Sequence, residues 1–303
     1  MSPRAAWTTA ALTLLLAGPA AAHDPTAARG AWAPDPLVAF NLAALAAVYA
    51  LGLRRLWARD GGAKVVTPRR AGAFAAGLAV LVAALLTPLA AIAEELNWVH
   101  MVQHMLLMNV AAPLVVLGAP LRVTLWALPV GARRAWGGAL GRLDGWRPGG
   151  YLLGQALLMW ALYGLVLWVW HVPRFYEAAL RAPRLHDLQH LSFFVVSCLF
   201  WRVLLDPVRR LALSRALSVV YLFATSLHAT LLGVFMALSP AAWYPIYEPR
   251  VRAWGLTALE DQQVAGLIMW MPACMIYAAI AAVLFGLWLH EEGEREVEPC
   301  RAT

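Results

Sequence analysis

Long apolar segments separated by short polar connections make up most of the chain. Seven of them reach the roughly 20 residues that a helix needs to cross a bilayer. Leu, Ala and Val fill them without the strict alternation of apolar and polar residues that barrel strands show, so we expect helices. The predicted spans are Pro36–Trp57, Ala71–Ala93, Trp98–Leu117, Tyr151–Trp170, Leu188–Leu205, Leu217–Leu238 and Val264–Leu289.

The composition supports an all-α integral membrane protein, a bundle of about seven transmembrane helices. Only 14% of the residues are charged, and the mean hydropathy is +0.64. Soluble proteins carry about 25% charged residues. The formal net charge of +7 does not call for a nucleic-acid partner, because membrane proteins gather Lys and Arg in their cytoplasmic loops. No nucleotide-binding, zinc-protease or serine-hydrolase motif occurs, so we expect no enzyme.

Both ends of the chain differ from the predicted membrane domain, residues 23–290. Residues 1–22 combine Arg4, a short apolar stretch and a small-residue ending, Ala20 to Ala22, which is typical of a cleaved signal peptide. An uncleaved anchor is the alternative and would add an eighth span. Residues 291–303 are polar and acidic, which predicts a disordered cytoplasmic tail.

The basic residues predict the orientation in a bacterial plasma membrane. Placing the mature N-terminus outside and the C-terminus in the cytoplasm puts most of the 24 Lys and Arg residues inside. Beyond Arg4 in the leader, the basic residues then left outside are Arg29, Arg174, Arg181, Arg184, Arg250 and Arg252.

Six of the eight histidines lie in or at the ends of predicted spans. His100 and His104 open the third span, His171 closes the fourth, and His186 and His190 open the fifth. On the predicted topology these five share the outer side of the membrane. A further histidine, His228, lies within the sixth span. Ionisable residues inside a membrane are costly and usually face a cavity or the interior of the bundle.

Two histidine pairs have the spacing of metal ligands. In each His-x-x-Gln-His segment the imidazoles are four residues apart, on one helical face. Imidazole combined with thioether suits copper, and thioether suits Cu(I) in particular. Asp187, Gln103 and Gln189 are candidates for fixing the ring tautomers. The candidate copper ligands are His100, His104, His186, His190, His171, His228, Met101, Met105 and Met108.

Other interpretations of these residues stay open. A single histidine near a membrane surface is usually a polar anchor, and methionine on an apolar helix usually packs. Inward histidines on different helices could instead bind haem, with His104 and His190, or His171 and His228, as axial ligands. Acidic residues before the seventh span, such as Glu260 and Asp261, either line the same outer mouth or form an ordinary helix start.

Several segments together resemble the multi-spanning CtaG-type cytochrome c oxidase assembly proteins, from about Pro34 to His290. These segments are His100–His104, Ala112–Pro120, Trp170–Glu177, Leu185–His190, Leu232–Met236, Trp243–Pro245 and Leu259–Pro272.

The resemblance implies a seven-helix plasma-membrane protein needed to mature a haem–copper oxidase. Its partners would be the oxidase subunits, with periplasmic copper chaperones as possible donors. A copper role is commonly inferred for the family, but the resemblance does not identify ligands. The sequence therefore leads to three hypotheses: an assembly factor that binds copper at the outer face, a haem-binding redox protein, and a metal-free assembly scaffold.

Overall fold

The computed structural model describes residues 33–145, 151–205 and 213–301. The described chain contains helices and no strand, and seven of the helices are long and apolar enough to cross a membrane, as predicted. The predicted signal peptide, residues 1–22, lies outside the described residues. The seven spans are Pro36–Trp57, Pro68–Leu85, Asn97–Leu117, Leu153–His171, Pro183–Leu205, Arg215–Leu238 and Ala258–Glu291.

The second span is shorter than predicted. It ends at Leu85, whereas the apolar pattern predicted continuation to Ala93. Pro88 has no N–H to continue the helical ladder, and Thr87 caps a separate helix, Pro88–Glu95. This short helix brings the chain to the start of the third span at a new angle.

The third span is the central helix of the bundle. Of the residues in its most apolar stretch, 67% are buried, compared with 11% in the first span. It packs against the second, fifth and seventh spans. Gly77 of the second span permits one of these contacts, since an added Cβ would lie 3.1 Å from the Ala111 carbonyl oxygen.

A π-helical segment, Leu106–Ala111, interrupts the α-helix of the third span. Here Asn109 accepts a 2.8 Å hydrogen bond from the Tyr277 hydroxyl, which lies 2.9 Å from the Tyr163 hydroxyl. This polar contact joins the third, fourth and seventh spans inside the membrane. Single π-turns of this kind are frequent near functional sites.

The sixth and seventh spans approach each other closely at two glycines. A Cβ on Gly233 would lie 2.8 Å from the Gly266 carbonyl oxygen, so only a residue without a side chain fits. The seventh helix runs on from Ala258 to Arg301, through residues for which the sequence predicted a disordered tail. Glu and Arg are good helix formers, so the helix can continue beyond its apolar part.

Shorter helices connect the spans at both ends of the bundle. The third and fifth spans begin, and the fourth span ends, at the same end of the bundle. We call this end the histidine end. Its short helices are Pro88–Glu95, Pro173–Arg181, Pro245–Tyr247, Glu248–Val251 and Arg252–Trp254. The opposite end has Gly62–Val65, Pro120–Ala127 and Val130–Gly145.

Candidate metal centre

Five histidines from three neighbouring spans lie close together at the histidine end. The third and fifth spans begin at the histidine end, and each carries its two imidazoles on one face of its first turns. The fourth span ends there at His171, two residues before Pro173 begins the next helix. We call the resulting group the histidine cluster: His100, His104, His171, His186 and His190.

The rings of the histidine cluster are in mutual contact. His100 lies 4.3 Å from His104 and 5.1 Å from His186, measured between ring centroids. His190 lies 5.3 Å from His104 and 4.2 Å from His186. His171 is the most distant member, 6.5 Å from His104. The convergence that the sequence could not establish therefore exists in the fold.

Three members form the compact core of the cluster. The ligand nitrogens of His100, His104 and His190 all lie within 4.8 Å of one another. The two Nε2 atoms of His100 and His104 are 2.8 Å apart. A small side-chain adjustment brings three such nitrogens onto one ion, because metal–nitrogen bonds are about 2.0–2.1 Å long.

The cluster is buried, and most of its rings have nitrogen atoms without a hydrogen-bond partner. The exposed fractions of His100, His104, His171 and His190 are 8% or less, and His186 is partly exposed. His171 Nδ1 lies 2.6 Å from the Leu167 carbonyl, to which it can only donate. Among the imidazole nitrogens of the cluster, the buried ones without a partner in the described structure are His104 Nδ1, His171 Nε2, His186 Nε2 and His190 Nε2.

His228 does not join the histidine cluster. Its ring packs on the fourth span, 5.6 Å from the Trp160 ring and 6.0 Å from the Tyr163 ring. It also lies against Gly164, which is seven residues before His171. That separation is about 10 Å along a helix.

The methionines of the third span occupy the bundle core. Met101 and Met108 are fully buried, and the Met105 sulfur accepts a 3.3 Å hydrogen bond from Asn109 Nδ2. Among the described residues, no hydrogen bond joins a methionine sulfur to a ring of the cluster. The three methionines are therefore spaced along the third span, with Met108 inside the π-helical segment.

A family model for cytochrome c oxidase caa3 assembly factors (Caa3_CtaG) matches residues 47–291. The chain belongs to this family. The match includes all seven spans in whole or in part and every histidine of the cluster, and it confirms the resemblance found in the sequence. No curated protein and no solved structure matches the chain.

The assembly factor also has a tyrosine layer beside the cluster that the spacing argument missed. It consists of Tyr176, from the segment between the fourth and fifth spans, and Tyr244 and Tyr247, from the segment between the sixth and seventh. The Tyr176 and Tyr244 rings stack at 4.0 Å, and the Tyr244 hydroxyl donates to the His171 carbonyl at 2.8 Å. The only sequence signal was that Tyr176 and Tyr244 fall in segments that carry the family resemblance.

A hydrogen-bonded chain connects this layer to the cluster. The Tyr176 hydroxyl donates to Asn97 Oδ1 at 2.8 Å and lies 3.2 Å from the Tyr247 hydroxyl. The Tyr247 hydroxyl in turn lies 3.4 Å from His100 Nδ1. Burial raises the pKa of both Tyr176 and Tyr247, so both hydroxyls keep their protons at neutral pH.

Asp261 fixes the start of the helix that carries His100. Its carboxylate accepts hydrogen bonds from the backbone N–H groups of Asn97, at 2.8 Å, and Trp98, at 3.0 Å. The third span has no side-chain cap of its own, so a residue from the seventh span caps it. Asp261 is therefore not the ordinary solvated helix start that was one of the two alternatives for the acids, because it is fully buried.

The residues expected to fix the histidine tautomers make other contacts. Gln103 Nε2 donates to the Ala84 carbonyl at 2.8 Å, and Asp187 pairs with Arg184 at 3.2 Å. Gln189 is buried, with both of its amide atoms unpartnered in the described structure. The prediction for Gln103 and Asp187 is wrong, because in the described structure neither side chain forms a hydrogen bond to an imidazole.

Proposed function

We propose that this protein binds copper in the histidine cluster and passes it to a haem–copper oxidase during assembly. The observation that carries the proposal is the convergence of five imidazoles, four of which have a buried nitrogen without a hydrogen-bond partner. Each such nitrogen costs about 1–3 kcal/mol when it is left without a partner. A fold that keeps several of them together is best explained by a ligand that uses their lone pairs.

The donor set and the family together favour copper as the cargo. Imidazole nitrogens bind Cu, Zn, Fe and Ni, so the cluster alone does not select the metal. Membership in a family of cytochrome c oxidase assembly factors favours copper, because a haem–copper oxidase needs that metal. In this proposal no residue is catalytic, and copper is the ion that the protein binds and transfers.

The exposure of the five rings suggests an order of binding. His186 is the partly exposed member and would receive the ion, while His100, His104 and His190 would hold it in the compact core. His171, whose ring lies 6.5 Å from that of His104, offers its unpartnered Nε2 for release. Met101, Met105 and Met108 remain candidate transfer ligands, because thioethers suit Cu(I).

We propose that the histidine end faces outward from a bacterial plasma membrane. The connections at the opposite end carry most of the basic residues, including Arg54, Arg55, Arg59, Lys64 and Arg69. The cluster would then meet copper from periplasmic chaperones and oxidase subunits on the outer side.

His228 is left out of the proposed site, because it lies about two helical turns from the cluster.

The test is the copper content of the purified full-length protein and of two matched variants. We expect close to one copper ion, lost when both His100 and His104 become Gln and retained in His228→Gln. The His228 variant controls for loss of a buried imidazole elsewhere in the bundle. Copper content that stays unchanged in the double variant would contradict the proposal, and a protein without copper would favour a metal-free scaffold.

The geometry argues against haem. Axial ligands face each other across one iron atom, and His100 lies within 6 Å of both the His104 and His190 rings, where the porphyrin would have to fit. His228 lies against Gly164, which is about 10 Å from His171 along the fourth span. We therefore expect no Soret band in the purified protein.

A further inference from the structure

We infer that Tyr176 and Tyr247 are positioning residues that hold the His100 imidazole in the tautomer needed to bind metal. The inference rests on the proposed function of the cluster. It follows from counting protons along the chain that runs from Asn97 through Tyr176 and Tyr247 to His100. Each tyrosine hydroxyl has one proton to donate.

The direction of the chain is set at Asn97. Asn97 Oδ1 is a carbonyl oxygen and can only accept, so the Tyr176 hydroxyl gives it its proton at 2.8 Å. Tyr176 can then only accept from Tyr247, 3.2 Å away. The Tyr247 proton is used in that bond, so its oxygen can only accept from His100 Nδ1, at 3.4 Å.

This direction places the His100 proton on Nδ1. The lone pair is therefore on Nε2, the nitrogen that faces the cluster and lies 2.8 Å from His104 Nε2. Metal-bound imidazoles generally donate their second N–H to a fixed partner, which orients the ring and raises its basicity. For His100 that partner is a tyrosine, held in place by a second tyrosine and an asparagine.

The fold supports the far end of the chain. Asn97 begins the third span, and its backbone N–H donates to the buried Asp261 carboxylate. The seventh span therefore fixes Asn97, and the two tyrosines come from two different connecting segments. The third span, the seventh span and two connecting segments therefore all contribute to holding the partner of His100 Nδ1.

The first test is the tautomer of His100 in the metal-free protein, read from the ¹⁵N spectrum of histidine-labelled full-length protein. A His100→Gln variant assigns the signal. We expect a protonated Nδ1 in the wild type and in Tyr244→Phe. In Tyr176→Phe the freed Tyr247 proton would turn towards His100, and we expect the Nε2-protonated form. An unchanged tautomer in Tyr176→Phe and Tyr247→Phe would overturn the inference.

The second test is Cu(I) affinity, measured by competition with a chromogenic Cu(I) chelator. Loss of an outer hydrogen-bond partner typically costs about 10–100-fold in metal affinity. We expect about a tenfold loss in Tyr247→Phe and in Tyr176→Phe, although Tyr176 does not hydrogen-bond to His100. The double variant should lose no more than Tyr247→Phe alone, because both residues act through one contact.

Tyr244→Phe is the matched control. It removes a hydroxyl from the same layer, but that hydroxyl bonds the His171 carbonyl and lies outside the chain. An equal loss of affinity in Tyr244→Phe would show a merely structural role for the layer and overturn the inference. A wild-type protein that binds no Cu(I) but shows the expected tautomers would refute the proposed function and leave the positioning role standing.

Discussion

At the scale of single residues, the five clustered histidines are not equivalent. His190 belongs to the compact core, whereas His186 is partly exposed and lies beside it, 4.2 Å away between ring centroids. In the proposed site, a histidine of the core would stay bonded to the copper ion for as long as the ion is held. A histidine at the edge would act chiefly while the ion enters.

The two histidines of the fifth span should therefore respond differently to substitution. We expect His190→Gln to lower equilibrium Cu(I) affinity by more than about 100-fold, the upper range for loss of an outer partner alone. His186→Gln should mainly slow copper uptake, with a smaller change in affinity. Chelator competition and stopped-flow uptake measure the two effects. Equal affinity losses would contradict this division of roles.

At the scale of helices, the joint between the third and seventh spans is the contact that sets the position of His100. Asp261 accepts two backbone hydrogen bonds there and is fully buried. A carboxylate at a helix N-terminus also meets the positive end of the helix dipole. The joint therefore couples the packing of the seventh span to the geometry of the cluster.

Removing this cap should cost stability and metal affinity together. Asp261→Ala leaves one buried and one partly buried N–H group without acceptors, and we expect the free energy of unfolding to fall by about 2–4 kcal/mol. Thermal unfolding in detergent measures the loss. The neighbouring Glu260→Ala is the control: Glu260 is exposed and caps only its own helix, at Thr257, so a clearly smaller loss is expected. Equal losses would refute the special role of Asp261.

At the scale of the whole molecule, most of the basic residues and the histidine cluster lie at opposite ends. Arg59 is in a connection at the basic end, and Arg181 is exposed at the histidine end. Basic loops stay on the cytoplasmic side during insertion. The proposal accordingly places Arg59 inside and Arg181 outside.

Cysteine labelling of the full chain tests this orientation. With Cys198, Cys274 and Cys300 replaced by Ser, we expect Arg181→Cys to react with a membrane-impermeant maleimide in intact cells. Arg59→Cys should react only after the cells are made permeable. The reverse pattern would place the histidine end in the cytoplasm and exclude delivery of copper from the periplasm by this site.

The sequence by itself determined the class of fold, the seven spans and the two histidine pairs. These features depend on local properties: hydrophobic length, helical spacing and residue type along one segment. It overextended the second span, because Thr87 and Pro88 end a helix inside an apolar stretch. The sequence also predicted hydrogen bonds from Gln103 and Asp187 to histidine rings, which the described structure does not contain.

Only the tertiary structure decided which histidines meet. His228 and His171 were both candidate copper ligands in the sequence, but His228 packs on Trp160 and Tyr163 while His171 reaches the cluster. The roles of Tyr247 and Asp261 also depend on contacts between residues more than a hundred positions apart. Spacing along a helix fixes which residues share a face, and the packing of helices fixes what that face meets.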